Sequence, residues 1–141
     1  MGKYPQIPAT IYERRELLYK ELRKAGNKIV FCPAINRRVK ILPESITETA
    51  FHASKSVVST KLALRIRYII SNAKIVQSGI KPKTGTQTKK FHFKELIILS
   101  CGIRGLGTAK LTIGLKPRKQ YIEYCITDIR CHNKETSLLF P

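Results

Sequence analysis

The segment Phe51-His-Ala-Ser-Lys-Ser-Val-Val-Ser-Thr60 concentrates groups that handle protons and phosphates: His52, Lys55 and the hydroxyls of Ser54, Ser56, Ser59 and Thr60. An imidazole of ordinary pKa, about 6.5, can give or take a proton at neutral pH. The plainer reading of His52 is a partly buried structural histidine. Ser59 and Thr60 precede an apolar run with helical spacing. That spacing predicts them at an exposed helix N-terminus, where unpaired backbone N–H groups bind phosphate. Two later stretches alternate apolar and polar residues, Thr108–Leu115 and Tyr121–Ile129. With a strand's period of two, Ala109, Leu111, Ile113 and Leu115 share one face, and Thr108, Lys110 and Thr112 the other. Ile122, Tyr124 and Ile126 oppose Glu123, Cys125 and Thr127 in the same way. With helices on the apolar side, the uncovered side displays Lys110, Thr112, Glu123 and Thr127, a cationic and hydroxyl-bearing surface able to grip a phosphate. The competing reading is a solvated sheet face with a cross-strand Lys–Glu pair.

The charge of the chain favours a polyanionic partner. Its 141 residues carry 27 Lys+Arg against 9 Asp+Glu, a formal net charge of +18. A compact body that positive repels itself, and nucleic acid offsets the repulsion by exchanging condensed counterions for side-chain cations. A basic protein kept soluble by its charge, or one docked on an acidic protein, are the other readings. An apolar fraction of 43% supplies a real core and excludes a disordered basic tail. No run reaches the ~18 apolar residues of a membrane span, and no apolar signal-peptide stretch follows Met1, so no membrane partner is expected. Cys32, Cys101, Cys125 and Cys131 form no CxxC pair and share no zinc-ligand spacing with His52, His92 or His132. They read as reduced thiols of a cytoplasmic protein, with no metal and no cofactor implied.

The elements that would position these groups are legible in outline. Thr10-Ile-Tyr-Glu13 has the form of a capping box and starts a helix to about Ala25, with Leu17, Leu18 and Leu22 on one face and a basic side read as solvated. Lys28–Phe31 and Arg38–Ile41 are strand candidates for a hairpin across Pro33–Arg37. Ser45-Ile-Thr-Glu48 reads as a second capping box, with a helix through Ala53 or Lys55. A third helix, capped by Ser59-Thr60, should run from Lys61 to about Asn72 on a stripe of Leu62, Ile66, Ile69 and Ala73, leaving Arg65 and Arg67 off that stripe and Arg65 a candidate nucleic-acid contact. Strands follow at Lys74–Gln77, Phe91–Cys101, Thr108–Leu115 and Tyr121–Ile129. Between the first two, the basic, turn-prone loop Lys81–Lys90 offers Lys81, Lys83, Lys89 and Lys90 to phosphates. This order predicts an α+β fold: helices on one face of a four-stranded antiparallel meander, with an extra N-terminal helix and a hairpin. The expected division is 1–42 for that helix and hairpin, 43–130 for the core and 131–141 for a C-terminal tail, all in a single compact domain.

The runs AFHASKSVVSTKLALRIRYIISNAKIV, GTAKLTIGL and YIEYCITDI resemble the toxin-type ribonuclease superfamily of barnase, EndoU, the tRNA-cleaving colicins and RelE. The likeness is nearest to versions in polyvalent proteins of phages and conjugative elements and covers roughly His52 to Ile129. It implies a helical pair and four-strand core with RNA on the open sheet face. It implies metal-independent cleavage, in which the substrate's 2′-OH attacks the neighbouring phosphate. Carried over by position, His52 is the general acid or base, Lys55 and Lys110 stabilise the transition state, and Thr112 and Thr127 hold phosphate oxygens. Glu123 is an alternative base, and the resemblance leaves the choice between it and His52 open. Such ribonucleases often carry an acidic antitoxin or immunity protein as partner. The late strands, Thr108–Leu115 and Tyr121–Ile129, depart from the pattern in containing no His, with Thr127 where a second acid–base group is wanted. A non-catalytic RNA- or DNA-binding protein, ribosome-associated or accessory to a mobile element, is the alternative function.

Overall fold

The computed structural model describes residues 6–25, 28–82 and 93–133. Helix α1 spans Ile11–Arg23, with the Thr10 side chain accepting from the backbone N–H of Glu13 as the capping box requires. Strands β1 (Ile29–Cys32) and β2 (Arg37–Ile41) form an antiparallel hairpin around a 3₁₀ turn, Pro33–Ile35. Asn36 closes that turn in the left-handed region, at φ 52°, which asparagine tolerates. Helix α2 is Pro43–Ala53. Pro43 starts it, because a proline's fixed φ suits the first helical position and its missing N–H has no intrahelical partner there. The expected Ser45–Glu48 capping box therefore lies inside the helix, with Ser45 buried.

The expected Lys61–Asn72 helix is two helices, α3 (Val57–Leu64) and α4 (Ile66–Asn72), broken at Arg65. Ser56 rather than Ser59-Thr60 caps α3, its hydroxyl accepting from the N–H of Ser59 at 3.0 Å. Four strands complete the chain: β3 (Lys74–Ile80), β4 (Glu95–Ile103), β5 (Gly107–Arg118) and β6 (Tyr121–Asn133). No helix among the described residues is long and apolar enough to cross a membrane.

The architecture is α+β, but the sheet is larger than a four-stranded meander. Six strands lie in the order β1-β2-β6-β5-β4-β3. β3 to β6 run antiparallel in sequence order, and β2 adds to the far side of β6 in parallel, pairing Val39–Ile41 with Tyr124–Ile126. The hairpin of residues 29–41 is thus hydrogen-bonded into the same sheet as the later strands. α2 and α3 pack on β5 and β6, while α1 packs on α2 and α3. Leu18 and Leu22 of α1, Ala50 of α2, Leu62 of α3, Leu111 and Ile113 of β5 and Ile126 of β6 meet in one core, each about fully buried.

On the opposite face, a smaller cluster joins Leu42, Phe93 and Cys125. The Phe93 ring lies flat against the Gly114 backbone, so close that a Cβ there would sit 2.6–2.8 Å from three ring carbons. Phe93 is buried and packed, so the ring cannot swing away without losing those contacts. Gly114→Ala is expected to cost about 1–3 kcal/mol through overpacking. Equilibrium denaturation checks this, and the loss should shrink when Phe93→Leu is added; a Gly114→Ala protein as stable as the parent contradicts the packing.

Candidate nucleic-acid interface

β5 and β6 are the longest strands, and a single irregularity between them sets what they display. Residue pairs run regularly from Thr108↔His132 to Thr112↔Asp128, then shift so that Ile113 faces Ile126. Thr127 is the extra residue of a β-bulge. Its side chain is buried, and its hydroxyl donates to the backbone carbonyl of Thr112 at 3.2 Å. A bulge inverts the alternation beyond it. Ile129 therefore stays in the core, and Asp128, Arg130 and His132 join the open face. Directly opposed residues of antiparallel strands share a face. The pairs Lys74↔Ser100, Ser100↔Lys110 and Lys110↔Arg130 therefore form one row across β3, β4, β5 and β6. At about 4.8 Å per strand, three intervals span roughly 14 Å and carry three cations and a hydroxyl.

The row ends beside His52. β2 pairs with β6 only as far as Ile126, so beyond it the outer edge of β6 has no strand neighbour among the described residues. α2 lies there instead, and Thr49 donates its hydroxyl to the Ile129 carbonyl at 3.4 Å. His52 is one turn further along α2, partly exposed. Burial first, then the charges of Arg130 and Lys55, hold it below its ordinary pKa of 6.5; Asp128 and Glu48 pull the other way and are outweighed. The imidazole is accordingly neutral at pH 7 and able to accept a proton. Arg130 holds Asp128 through Nε–Oδ2 at 3.0 Å, while Asp128 Oδ1 is buried with no hydrogen-bond partner among the described residues. A buried carboxylate oxygen left over in this way calls for a donor. Phe51 props the cluster: its ring meets His52 edge-on at 5.3 Å, with Lys55 at 5.0 Å and Arg15 at 4.5 Å from its centroid.

α1 positions this corner. Arg14 is buried and donates from Nε to the Ser54 carbonyl at the end of α2, and from Nη1 to the carbonyls of Ala9 and Pro8. Arg15 donates to the Ser54 hydroxyl. Two arginines read from sequence as part of a solvated basic side thus anchor the helix end that carries His52.

The remaining candidates separate. Lys55, Lys110 and Thr112 lie with His52 or on the row's face. Thr127 faces inward, because its hydroxyl closes the bulge, and is not placed to hold a phosphate. Ser59 and Thr60 are buried and donate to the Ala53 carbonyl, at 2.6 and 3.0 Å; with the helix starting earlier, at Val57, they face inward rather than offering an anion site. Arg65 stacks on Tyr68 at the α3–α4 break, on the helical side of the sheet. Lys81 is exposed just past β3, away from the row. Lys83, Lys89 and Lys90 lie outside the described residues. Glu123 is on the open face but seven residues from Arg130 along β6, about 20 Å, and is not brought to His52. The four thiols are free, and burial is the first cause raising each above the ordinary thiol pKa, so none is a thiolate at neutral pH.

Comparison with family models, curated proteins and solved structures returns no match for this chain.

The corner's electrostatics have a direct readout. The His52 ring protons should titrate with a midpoint below 6.5 in an NMR pH series. In Arg130→Gln the midpoint should rise, since a repelling charge is lost and Asp128 is freed from its guanidinium. A midpoint unmoved by that substitution would separate His52 from the row.

Proposed function

We propose that the protein is a metal-independent endoribonuclease that binds RNA on the open sheet face and cleaves it at the His52 corner. The observation that carries this reading is the cross-strand row Lys74–Ser100–Lys110–Arg130 running up to a histidine held neutral at pH 7. The row binds backbone phosphates as fixed charges, without reading sequence. His52 accepts the proton of a 2′-OH, and that oxygen attacks the adjacent phosphorus. The bond to the 5′-oxygen breaks, the departing oxygen takes a proton from solvent, and a 2′,3′-cyclic phosphate remains. Arg130 and Lys110 are the cations placed to balance the charge that builds on the non-bridging oxygens, with Lys55 beside them. Nucleophile and leaving group both belong to the substrate, so the protein supplies only proton transfer and charge.

One observation favours a second reading, a non-catalytic RNA- or DNA-binding protein. Arg130 already engages Asp128, Thr127 is turned inward and Glu123 is at the other end of β6. None of the three is placed as a second acid–base group for His52, and no described contact joins it to His132, which lies exposed two residues beyond Arg130 on the same face.

Incubation of the purified protein with total RNA in EDTA, followed by analysis of the product ends, separates the two. The first reading predicts cyclic phosphate ends. It also predicts that His52→Ala lowers the rate 10²- to 10⁴-fold, as loss of a general base does, with binding retained. Lys110→Ala should weaken binding about equally for all sequences and reduce the salt slope by about 1. Cleavage unchanged in His52→Ala removes the assigned role; salt-sensitive binding without product ends selects the second reading.

A further inference from the structure

The hairpin β1–β2 lies outside the part of the chain that the ribonuclease resemblance covers, yet it extends the open face. Cys32, Val39 and Ile41 are buried in the core and Val30 packs against it. By a strand's alternation, Ile29, Phe31, Arg38 and Lys40 point the other way. Ile29 stands directly opposite Lys40, and Phe31 directly opposite Arg38. Ile29 is 65% and Phe31 49% exposed. Residues 28–41 contain Lys28, Arg37, Arg38 and Lys40 and no acidic residue. The arrangement recurs at the β5–β6 turn, where Tyr121, 62% exposed, stands directly opposite Arg118 on the same face.

Both rings have open faces. Phe51 and Tyr68, exposed on helices, each carry a guanidinium over the ring, Arg15 at 4.5 Å and Arg65 at 4.6 Å. Among the described residues no cation or second ring lies over Phe31 or Tyr121 in that way. One exposed apolar residue is ordinary on a protein surface. Two open rings, each with an arginine directly across the ladder, offer a flat π-system a face to stack on and an adjoining anion a guanidinium. The parallel register sets Arg38 level with Glu123 on β6. Two strand intervals and two residues therefore separate Phe31 from Tyr121, roughly 12 Å. Stacked bases are only about 3.4 Å apart, so the two rings fit bases pulled away from each other, which a duplex does not present. Glu44 and Glu123 line the cavity beside Lys40, and Arg118 holds Glu123 at 3.4 Å. Arg118 is thus partly neutralised, and the Phe31–Arg38 pair carries the larger share. A second copy of the chain seated on the same patch would set its four cations against their own copies, which like-charge repulsion opposes.

We propose that this end of the sheet is a stacking platform for single-stranded nucleic acid, with unpaired bases on Phe31 and Tyr121 and the linking phosphates on Arg38 and Arg118. Stacking of this kind tolerates any base, because every base has a π-face. The proposal rests on the nucleic-acid reading above, catalytic or not, and adds the class of strand: unpaired rather than double-helical.

The test compares a short 2′-O-methyl RNA strand, which has no 2′-OH to attack, with the same strand annealed to its complement. The chain has no Trp, so Phe31→Trp installs a single indole. Its fluorescence should change on adding the single strand and not on adding the duplex, with affinity retained. Phe31→Ala, Phe31→Leu and Tyr121→Ala should each weaken single-strand binding about 5-fold or more, the loss of one base stack. Their duplex affinity should stay within about twofold of the parent's, which also shows that the variants fold. Single strand and duplex bound equally by the parent, or full single-strand affinity in Phe31→Leu, overturns the proposal. A parent that sediments as a dimer and dissociates on Phe31→Ala also overturns it, giving the patch to a second copy. A parent that binds neither form sinks the reading on which the platform rests.

Discussion

The bond from the Thr127 hydroxyl to the Thr112 carbonyl, 3.2 Å long, is where the open face is decided. Without the extra residue, the last third of β6 would present the other set of side chains. Arg130 and Asp128 would enter the core, at a desolvation cost of several kcal/mol per unpaired charge, and Ile129 would meet water. The inserted residue leaves a backbone irregularity beside a buried side chain, and Thr127 fits it with one of the few side chains both small and able to donate. Hydrophobic burial and charge display thus agree along the whole of β6 only because one threonine is taken out of the alternation.

The second constraint is the bare outer edge of β6. An unpaired strand edge is a template for aggregation unless something covers it. β2 protects the first half of the strand and α2 the second, with Thr49 taking the carbonyl of Ile129. That substitution of a helix for a strand is what brings His52 to the sheet's charged side. A hairpin one or two residues longer would extend β2 along β6 and push α2 away. The buried Arg14 then fixes the helix end, since a guanidinium that donates to three carbonyls from two segments cannot move without leaving polar groups unpaired.

Much of this was legible in the residues, and the misses have physical causes. Thr10 and Glu13 and the alternation of Ala109, Leu111 and Ile113 each report one local rule, and each rule operates in the fold. The bulge was not read, because a period of two continues plausibly through Thr127. Asp128, Arg130 and His132 were missed as a consequence, although the sudden polarity after Ile126 is the signal that could have found them. Ser59 and Thr60 were misplaced because Ser56 is an equally good cap three residues earlier, and their hydroxyls turn in to the Ala53 carbonyl instead. The structural role of Arg14 depends on a partner 40 positions away, which no local pattern encodes.

Both ends of the face use the same device, with opposite consequences. Arg130 holds Asp128 two residues back on its own strand, while Arg118 reaches across the turn to Glu123. Pairs this exposed add little stability, about 0–1 kcal/mol each, and their value is in orientation. At the His52 corner the pair fixes a guanidinium where a phosphate can approach it. At the β5–β6 turn it holds the Glu123 carboxylate by one oxygen. The chain has 9 acidic residues against 27 basic ones, so each carboxylate set among cations on this face lowers the attraction for a polyanion locally. A surface selected only to bind phosphate would omit them. Their presence at two well-separated points shows a face on which cations are held in set positions by carboxylates rather than spread as a uniform charge.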